Sequence, residues 1–176
     1  MADIASLIEE CGAVKYGEFE LASGETSSYY VDKYVFETQP KVLEAIAEEI
    51  AARLEGSDID VIAGPELGAV PLVAAVTMKT GIRGAFIRKE AKGYGTDTRV
   101  EGTIDEGDKV ALLEDVTTTG GTILETAQFV ENDLGATISR LIVVVDRNQG
   151  AVENLQDGGF DLEAIVRIGK DIDVTK

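Results

Sequence analysis

The strongest constraint on the fold is a regular alternation of apolar strand-like runs and helical segments between residues 40 and 168. Pro40 suits the first turn of a helix whose apolar stripe includes Ile46 and Ile50, and Gly56 follows where such a helix would stop. Short apolar runs predict strands at residues 61–63, 85–87, 110–113, 141–145 and 162–168. Further helices are predicted up to Thr80, over residues 122–134 and over residues 151–156.

Strands that alternate with helices predict an α/β fold: a central parallel sheet flanked by helices, joined by right-handed crossovers. In such sheets ligands bind at the carboxyl ends of the strands. Four loops follow predicted strands and carry polar or glycine residues, namely residues 64–68, 88–103, 114–121 and 146–150. We therefore expect these loops to converge on one binding site.

The 176 residues fit a single domain, 1–176, with globular composition. Before residue 40 we predict a helix over residues 4–10 and strand-like segments at 18–21 and 29–33, with a turn at residues 23–25. No apolar run approaches the roughly 20 residues that a bilayer span needs, and the acidic N-terminus is unlike a signal peptide. The single cysteine, Cys11, suits a reducing compartment. The expectation is a cytoplasmic protein with no membrane partner.

The formal net charge of −17, from 33 acidic and 16 basic residues, disfavours binding to nucleic acid or anionic lipid. Two explanations remain open: a merely acidic, soluble protein, or a protein adapted to a salty cytoplasm. At about 1 M salt the Debye length is only about 3 Å, which screens repulsion among surface carboxylates.

Basic residues are concentrated between Arg83 and Arg99, where five of them face only two acidic residues. A basic segment in so acidic a chain predicts a binding site for a small anion. The alternative is a set of solvated loop charges.

Residues 114–122 combine two adjacent carboxylates, Glu114 and Asp115, with a threonine- and glycine-rich turn that opens a helix. Glycines allow the backbone to approach a phosphate, and the helix N-terminus presents free N–H groups to it. The two carboxylates would repel phosphate, but they suit the hydroxyls of a ribose, which donate hydrogen bonds. The spacing therefore predicts a sugar-phosphate site. A capped helix after a glycine turn would not explain the paired acids, and a Walker A loop is excluded because no Gly-Lys-Thr/Ser sequence is present here.

Residues 112–122, LLEDVTTTGGT, resemble the phosphoribosyl pyrophosphate signature of the type I phosphoribosyltransferases. Residues 88–95, RKEAKGYG, resemble the mobile loop of the orotate phosphoribosyltransferase family. Residues 19–24 and 28–30 resemble that family's N-terminal segment, and Asp146-Arg147 its orotate-contacting arginine site. The resemblance covers about residues 12–155 and points to an archaeal, halophilic form. It implies the type I phosphoribosyltransferase fold with a small N-terminal hood, residues 1–38, on an α/β core, residues 39–170.

The resemblance also implies an activity: transfer of the 5-phosphoribosyl group from phosphoribosyl pyrophosphate to orotate, giving orotidine 5′-phosphate and diphosphate in pyrimidine biosynthesis. Mg²⁺ is the implied cofactor, held by the substrate and by no protein metal ligand. A homodimer is implied, with loop 88–103 shared across its interface. The implied catalytic residues are Lys92, Arg88 and Asp115. The implied contacts to phosphoribosyl pyrophosphate are Arg88, Lys89, Lys92, Glu114, Asp115, Val116, Thr117, Thr118, Thr119, Gly120, Gly121 and Thr122, and those to orotate are Thr118 and Arg147.

The chain departs from the family pattern at several positions, and one departure is Asn148-Gln149-Gly150, which replaces an acidic residue common after the arginine. Many bacterial members carry lysine where Ala22 and Gly68 stand and histidine where Tyr94 stands, whereas this chain contains no histidine. Lys33 or backbone amides are candidates to replace the lysines. Two other functions remain open. One is a phosphoribosyltransferase for another base, and the other is a regulator that keeps the fold, which the absence of a recognisable helix-turn-helix before residue 12 disfavours.

Overall fold

The computed structural model describes residues 3–20, 24, 26–91 and 99–175. Within them lie six helices and eight strands. The helices are α1 (Ile4–Glu10), α2 (Lys33–Glu37), α3 (Pro40–Leu54), α4 (Ala69–Thr80), α5 (Gly121–Asn132) and α6 (Ala151–Asp157). The strands are β1 (Val14–Glu20), β2 (Thr26–Val31), β3 (Val61–Pro65), β4 (Arg83–Ile87), β5 (Val100–Glu101), β6 (Lys109–Thr117), β7 (Thr137–Asp146) and β8 (Glu163–Arg167).

Six strands form one sheet in the order β5-β4-β3-β6-β7-β8, and β1 and β2 form a separate antiparallel pair. All neighbours in the large sheet are parallel except β5, which pairs antiparallel with β4. The predicted α/β fold with a parallel sheet flanked by helices is confirmed. The edge strand β5 corrects it in one detail, because the segment that we predicted as loop folds back onto β4 instead of crossing over.

Alternate residues of the buried strands pack on opposite faces of the sheet, as expected for parallel strands covered on both sides. Ala111 and Leu113 belong to the cluster that includes α3, α4 and the hood, whereas Val110 and Leu112 pack with α5 and α6. Among the described residues, no helix is both long and apolar enough to span a membrane.

The N-terminal segment differs from the prediction at α2. The strand that we predicted over residues 29–33 ends at Val31, and a helix begins at Lys33. Asp32 stands at the N-cap, a position that favours aspartate, and Phe36 is fully buried beneath the new helix. Burial of that ring outweighs the local strand pattern, and Glu37 is buried beside it, whereas Tyr34 is exposed.

Candidate active site

The carboxyl ends of four strands meet at one edge of the sheet. Pro65 at the end of β3 pairs with Ile87 at the end of β4, and Thr117 at the end of β6 pairs with Asp146 at the end of β7. The four loops singled out from the sequence leave the sheet at this edge. The structure therefore places the predicted sugar-phosphate, anion and base contacts on one side of the molecule.

The phosphate loop, residues 118–120, connects β6 to the N-terminus of α5. Gly120 has a φ of 77°, in the left-handed region, and a Cβ atom there would lie 3.3 Å from the Cα and carbonyl O of Ala151. Asn154 Nδ2 donates a hydrogen bond of 2.8 Å to the carbonyl O of Thr119. Helix α6 thus fixes the loop from behind, and the first turn of α5 carries N–H groups without intrahelical acceptors.

The acid pair lies inside strand β6, because the strand continues to Thr117. The prediction that the strand ends before Glu114 is wrong. Parallel pairing with β7 carries the backbone further than the apolar run alone, with Glu114 opposite Val143 and Thr117 opposite Asp146. Both carboxylates are therefore buried and held by a rigid element, with exposed fractions of 7% for Glu114 and 3% for Asp115.

Asp115 points toward the hood, on the same face of β6 as Leu113. Its Oδ2 atom lies 2.8 Å from Lys33 Nζ, on the first turn of α2. Glu37, one helical turn further along α2, is also buried, and neither of its carboxyl oxygens has a hydrogen-bond partner among the described residues. Glu114 Oε2 is likewise buried without a partner in this part of the chain. Three carboxyl groups thus lie near a single lysine, Lys33, which contacts Asp115 and acts on Glu37 and Glu114 through its charge.

Burial, followed by the negative charge of Asp115, raises the pKa of Glu114 to about 8 and that of Glu37 to about 8. Partial burial lowers the pKa of Lys33, but its contact with Asp115 and the charge of that carboxylate together raise it above its ordinary value. At neutral pH the arrangement therefore favours a charged Lys33 and protonated Glu37 and Glu114. A protonated Glu114 can donate to a ligand oxygen as well as accept from a hydroxyl.

Gly68 lies against this ion pair. A Cβ atom at position 68 would overlap Asp115 Oδ2 and Lys33 Nζ. The space beside the acid pair is thus occupied by a lysine from the hood, and it is available only because residue 68 has no side chain. Lys33 Nζ therefore lies beside Gly68, one of the positions where many bacterial family members carry lysine, and its role as a substitute stays a prediction.

Arg147 lies just after β7 with 8% of its surface exposed. Its backbone N–H donates to the carbonyl O of Thr117 at 3.0 Å, which ties it to the end of β6. Its Nη2 donates to Ser27 Oγ at 3.3 Å and its Nε to Tyr29 Oη at 3.4 Å. The guanidinium carbon lies 4.8 Å from the centroid of the Tyr29 ring. Both partners belong to strand β2, so the hood orients this arginine.

The described part of the basic segment borders a cavity of about 450 Å³ that also reaches Gly121 and Thr122 on α5. Arg99 Nε donates to the carbonyl O of Arg88 at 3.0 Å, and the Arg99 guanidinium carbon lies 4.1 Å from the centroid of the Phe129 ring. Arg88 and Lys89 line the same cavity, and the side chain of Arg88 is half exposed. Cations thus face the first turn of α5 across this cavity, which Glu66 and Glu125 also line. Lys92 lies outside the described residues.

Three residues near the predicted site were not identified as site residues from the sequence: Ser27, Lys33 and Glu37. From the sequence, Lys33 was named only as a candidate to replace a missing family lysine, and no role was assigned to Glu37. The available signal was the spacing of four residues between Lys33 and Glu37, which places both side chains on one face of a helix. The strand predicted over residues 29–33 concealed it.

The family assignment follows from comparison with known proteins. The family model described as phosphoribosyl transferase domain matches residues 36–166. An orotate phosphoribosyltransferase of Haloquadratum walsbyi is 46% identical over 164 residues, covering 93% of this chain and 88% of that protein. This chain belongs to the orotate phosphoribosyltransferase family.

Other members of the orotate phosphoribosyltransferase family agree with this assignment. One from Thermococcus gammatolerans is 44% identical over 163 residues, covering 92% of this chain and 86% of that protein. The crystal structure of the orotate phosphoribosyltransferase from Mycobacterium tuberculosis, in complex with Fe(III) dicitrate, superposes with a TM-score of 0.80 at 30% identity. It covers 94% of this chain and 97% of the solved chain. The expected type I phosphoribosyltransferase fold is thereby confirmed.

Proposed function

We propose that this protein transfers the 5-phosphoribosyl group from phosphoribosyl pyrophosphate to orotate, giving orotidine 5′-phosphate and diphosphate. The single observation that carries the proposal is the meeting of the acid pair, the phosphate loop and Arg147 at one edge of the sheet. The activity that the curated relatives are named for supports the same reaction. In biosynthesis this step places the protein in the formation of pyrimidine nucleotides.

The donor is held at two ends. Residues 118–122 contact its 5′-phosphate through backbone N–H groups and threonine hydroxyls, and Glu114 and Asp115 bind the ribose hydroxyls. Because both carboxyl groups are fixed in β6, the ribose is held rigidly between them and the phosphate loop. This fixes the anomeric carbon relative to the base site, which is the main contribution that a protein makes to such a displacement.

Orotate binds next to Arg147, whose planar guanidinium can donate two parallel hydrogen bonds to its polar edge. Thr118 approaches the base from the phosphate loop. The deprotonated ring nitrogen of orotate attacks the anomeric carbon, and the bond to the diphosphate oxygen breaks with its electron pair on the leaving group. No enzyme nucleophile is required.

The basic segment stabilises the leaving diphosphate. Arg88 and Lys89 face the cavity beside α5, and Lys92 completes the set by sequence. Mg²⁺ supplies further neutralisation of the diphosphate charge. We propose that it binds mainly through the donor's own oxygens, in keeping with its preference for substrate phosphates and few carboxylates. The hard oxygen donors of Glu114 and Asp115 are compatible with a hydrated ion nearby.

Three further features belong to the proposal. The protein acts as a homodimer in which loop 88–103 closes over the neighbouring subunit's site and excludes water from the donor. It works in the cytoplasm, and it is an archaeal form adapted to high salt, as the net charge of −17 suggests.

The test is a direct assay with purified protein, phosphoribosyl pyrophosphate, Mg²⁺ and orotate in high-KCl buffer, following the loss of orotate absorbance. We expect loss of absorbance that requires all three additions. Turnover of adenine or xanthine in place of orotate would assign another base. No turnover with any base, despite donor binding, would favour a regulator that retains the fold.

A further inference from the structure

The group formed by Lys33, Glu37, Glu114 and Asp115 joins two parts of the molecule that are far apart in sequence. Lys33 and Glu37 lie on α2 of the hood, and the other two residues lie on β6 of the core. The Lys33–Asp115 contact of 2.8 Å joins the hood to the predicted ribose site through charged atoms. This ionic contact is distinct from the apolar packing of Phe36, which is buried beneath the same helix.

We propose that Lys33 is a positioning residue of the donor site, holding the Asp115 carboxyl group in the orientation that accepts the ribose hydroxyls. This inference rests on donor binding as proposed above. Asp115 is almost completely buried, and a buried carboxylate stays charged only when a cation or several donors compensate it. Lys33 is the cation in contact with it among the described residues.

The geometry around Gly68 supports this role. The ammonium group of Lys33 and the carboxylate of Asp115 fill the volume that any side chain at position 68 would need. The side chain of Lys33 keeps about one third of its surface exposed, so it lies between the buried acid and the open site. The other carboxyl oxygen of Asp115, Oδ1, accepts a hydrogen bond from the backbone N–H of Val116. Lys33 and this N–H together fix the orientation of the carboxylate.

The test compares Lys33→Met with Lys33→Arg and with Lys15→Met. Lys15 forms an equivalent ion pair of 2.7 Å with Asp32, in the same hood but at a more exposed position. We expect Lys33→Met to raise KM and Kd for phosphoribosyl pyrophosphate about tenfold or more, because an uncompensated buried charge remains. KM for orotate should change little, Lys33→Arg should recover part of the donor affinity, and Lys15→Met should match the wild type.

The pH profile separates positioning from a merely structural role. The titratable groups that face Asp115 and Lys33 are Glu37 and Tyr34 on α2 and Glu114 on β6. The charge of Lys33 lowers the pKa values of Glu37 and Glu114, so its loss should raise both of them further. The acid limb of kcat/KM for the donor should therefore move to higher pH. An unmoved limb with unchanged donor KM would overturn the proposal, as would the same shift in Lys15→Met.

Gly68→Ala provides a second variant that removes no charge. Its methyl group displaces Lys33 from Asp115, so donor affinity should fall as in Lys33→Met even if that variant folds poorly. Unchanged donor affinity in a folded Gly68→Ala protein would contradict the proposal. Calorimetric binding of phosphoribosyl pyrophosphate to the wild type, without orotate, tests the proposed donor site by itself, so failure of that site is distinguished from failure of the role of Lys33.

Discussion

Arg147 and Tyr29 form a contact between the core and the hood: the guanidinium carbon of Arg147 lies 4.8 Å from the centroid of the Tyr29 ring. The pair is separated by more than a hundred residues in sequence and is buried from solvent. A guanidinium stacked on an aromatic face keeps its N–H groups in a fixed plane. The contact therefore orients the one arginine that the sequence predicted for orotate.

Replacement of Arg147 by lysine should weaken orotate binding selectively. Lysine keeps the charge but loses the planar pair of donors and the stacking on Tyr29. We expect kcat/KM for orotate to fall by about tenfold to a hundredfold, corresponding to roughly 1.4–2.8 kcal/mol, with the donor Kd nearly unchanged. Steady-state kinetics with each substrate varied in turn measure this.

Arg83→Lys is the matched control, because Arg83 begins β4 at the opposite edge of the sheet and pairs with Asp105 and Asp108. It should leave both substrates unaffected. An equal loss of donor affinity in Arg147→Lys would show that Arg147 supports the whole site rather than the base.

Substitution of Gly120 by alanine should damage the phosphate loop. The residue has a φ of 77°, and the new Cβ would press against Ala151 at 3.3 Å. Backbone strain at such a position costs about 1 kcal/mol or more, and displacement of the loop should add a loss of donor affinity. Chemical denaturation and donor titration measure the two effects separately.

Gly56→Ala controls for strain alone. Gly56 has a φ of 73° and no atom within 4 Å of the added Cβ. It should lose stability to a similar or smaller degree but keep donor affinity. Normal donor binding in Gly120→Ala would show that the close contact between the loop and α6 is not needed for donor binding.

Glu37→Gln should stabilise the protein at alkaline pH. Burial raises the pKa of Glu37 in the folded state to about 8 from an ordinary value of 4.5, so the folded state binds more protons than the unfolded state between these values. The stability of the wild type should therefore fall as pH rises from about 4.5 to 8, and this component should be absent from the variant. Melting temperatures at pH 5.5 and pH 8.5 test it, since about 1 kcal/mol corresponds to about 2–4 °C in a chain of this size.

The decisive quantity is the change in melting temperature between pH 5.5 and pH 8.5, compared between the wild type and the variant. A wild-type protein and a Glu37→Gln variant with parallel pH dependence would show that Glu37 titrates normally. Glu48→Gln serves as a control, because Glu48 is exposed on α3, in an ion pair with Lys79.

Replacement of Lys92 by alanine should reduce turnover by about tenfold or more while the fold remains intact, because the basic segment stabilises the leaving diphosphate. Circular dichroism and steady-state kinetics check both statements. Lys41→Ala is the control, since Lys41 is exposed at the start of α3. Unchanged turnover in Lys92→Ala would remove this lysine from the mechanism.

The melting temperature should rise as KCl increases toward molar concentrations, because salt screens repulsion within a chain of net charge −17. Thermal melts over a KCl series measure this, and a series in sucrose controls for a general solute effect. A melting temperature that does not rise with KCl would contradict adaptation to high salt.

Most of the fold and part of the site were predictable from the sequence, because they depend on local patterns. Two local patterns carried this prediction. Apolar runs at residues 110–113 and 141–145 indicate buried strands, and the apolar stripe that includes Ile46 and Ile50 indicates a helix. Gly120 marked the phosphate loop, since its positive φ and its close approach to Ala151 require glycine. The family motifs then pointed to the reaction that the curated relatives are named for.

Other features depended on contacts between segments distant in sequence, and only the tertiary structure decided them. Pairing with β7 extended β6 through Glu114 and Asp115, and burial of Phe36 turned the expected strand near Lys33 into a helix. The electrostatics of the acid pair depend on Lys33 and Glu37, about eighty residues away, and on the space left open at Gly68. Local periodicity records which face of an element is buried, but the charge beside a buried carboxylate is set by whichever element packs against it.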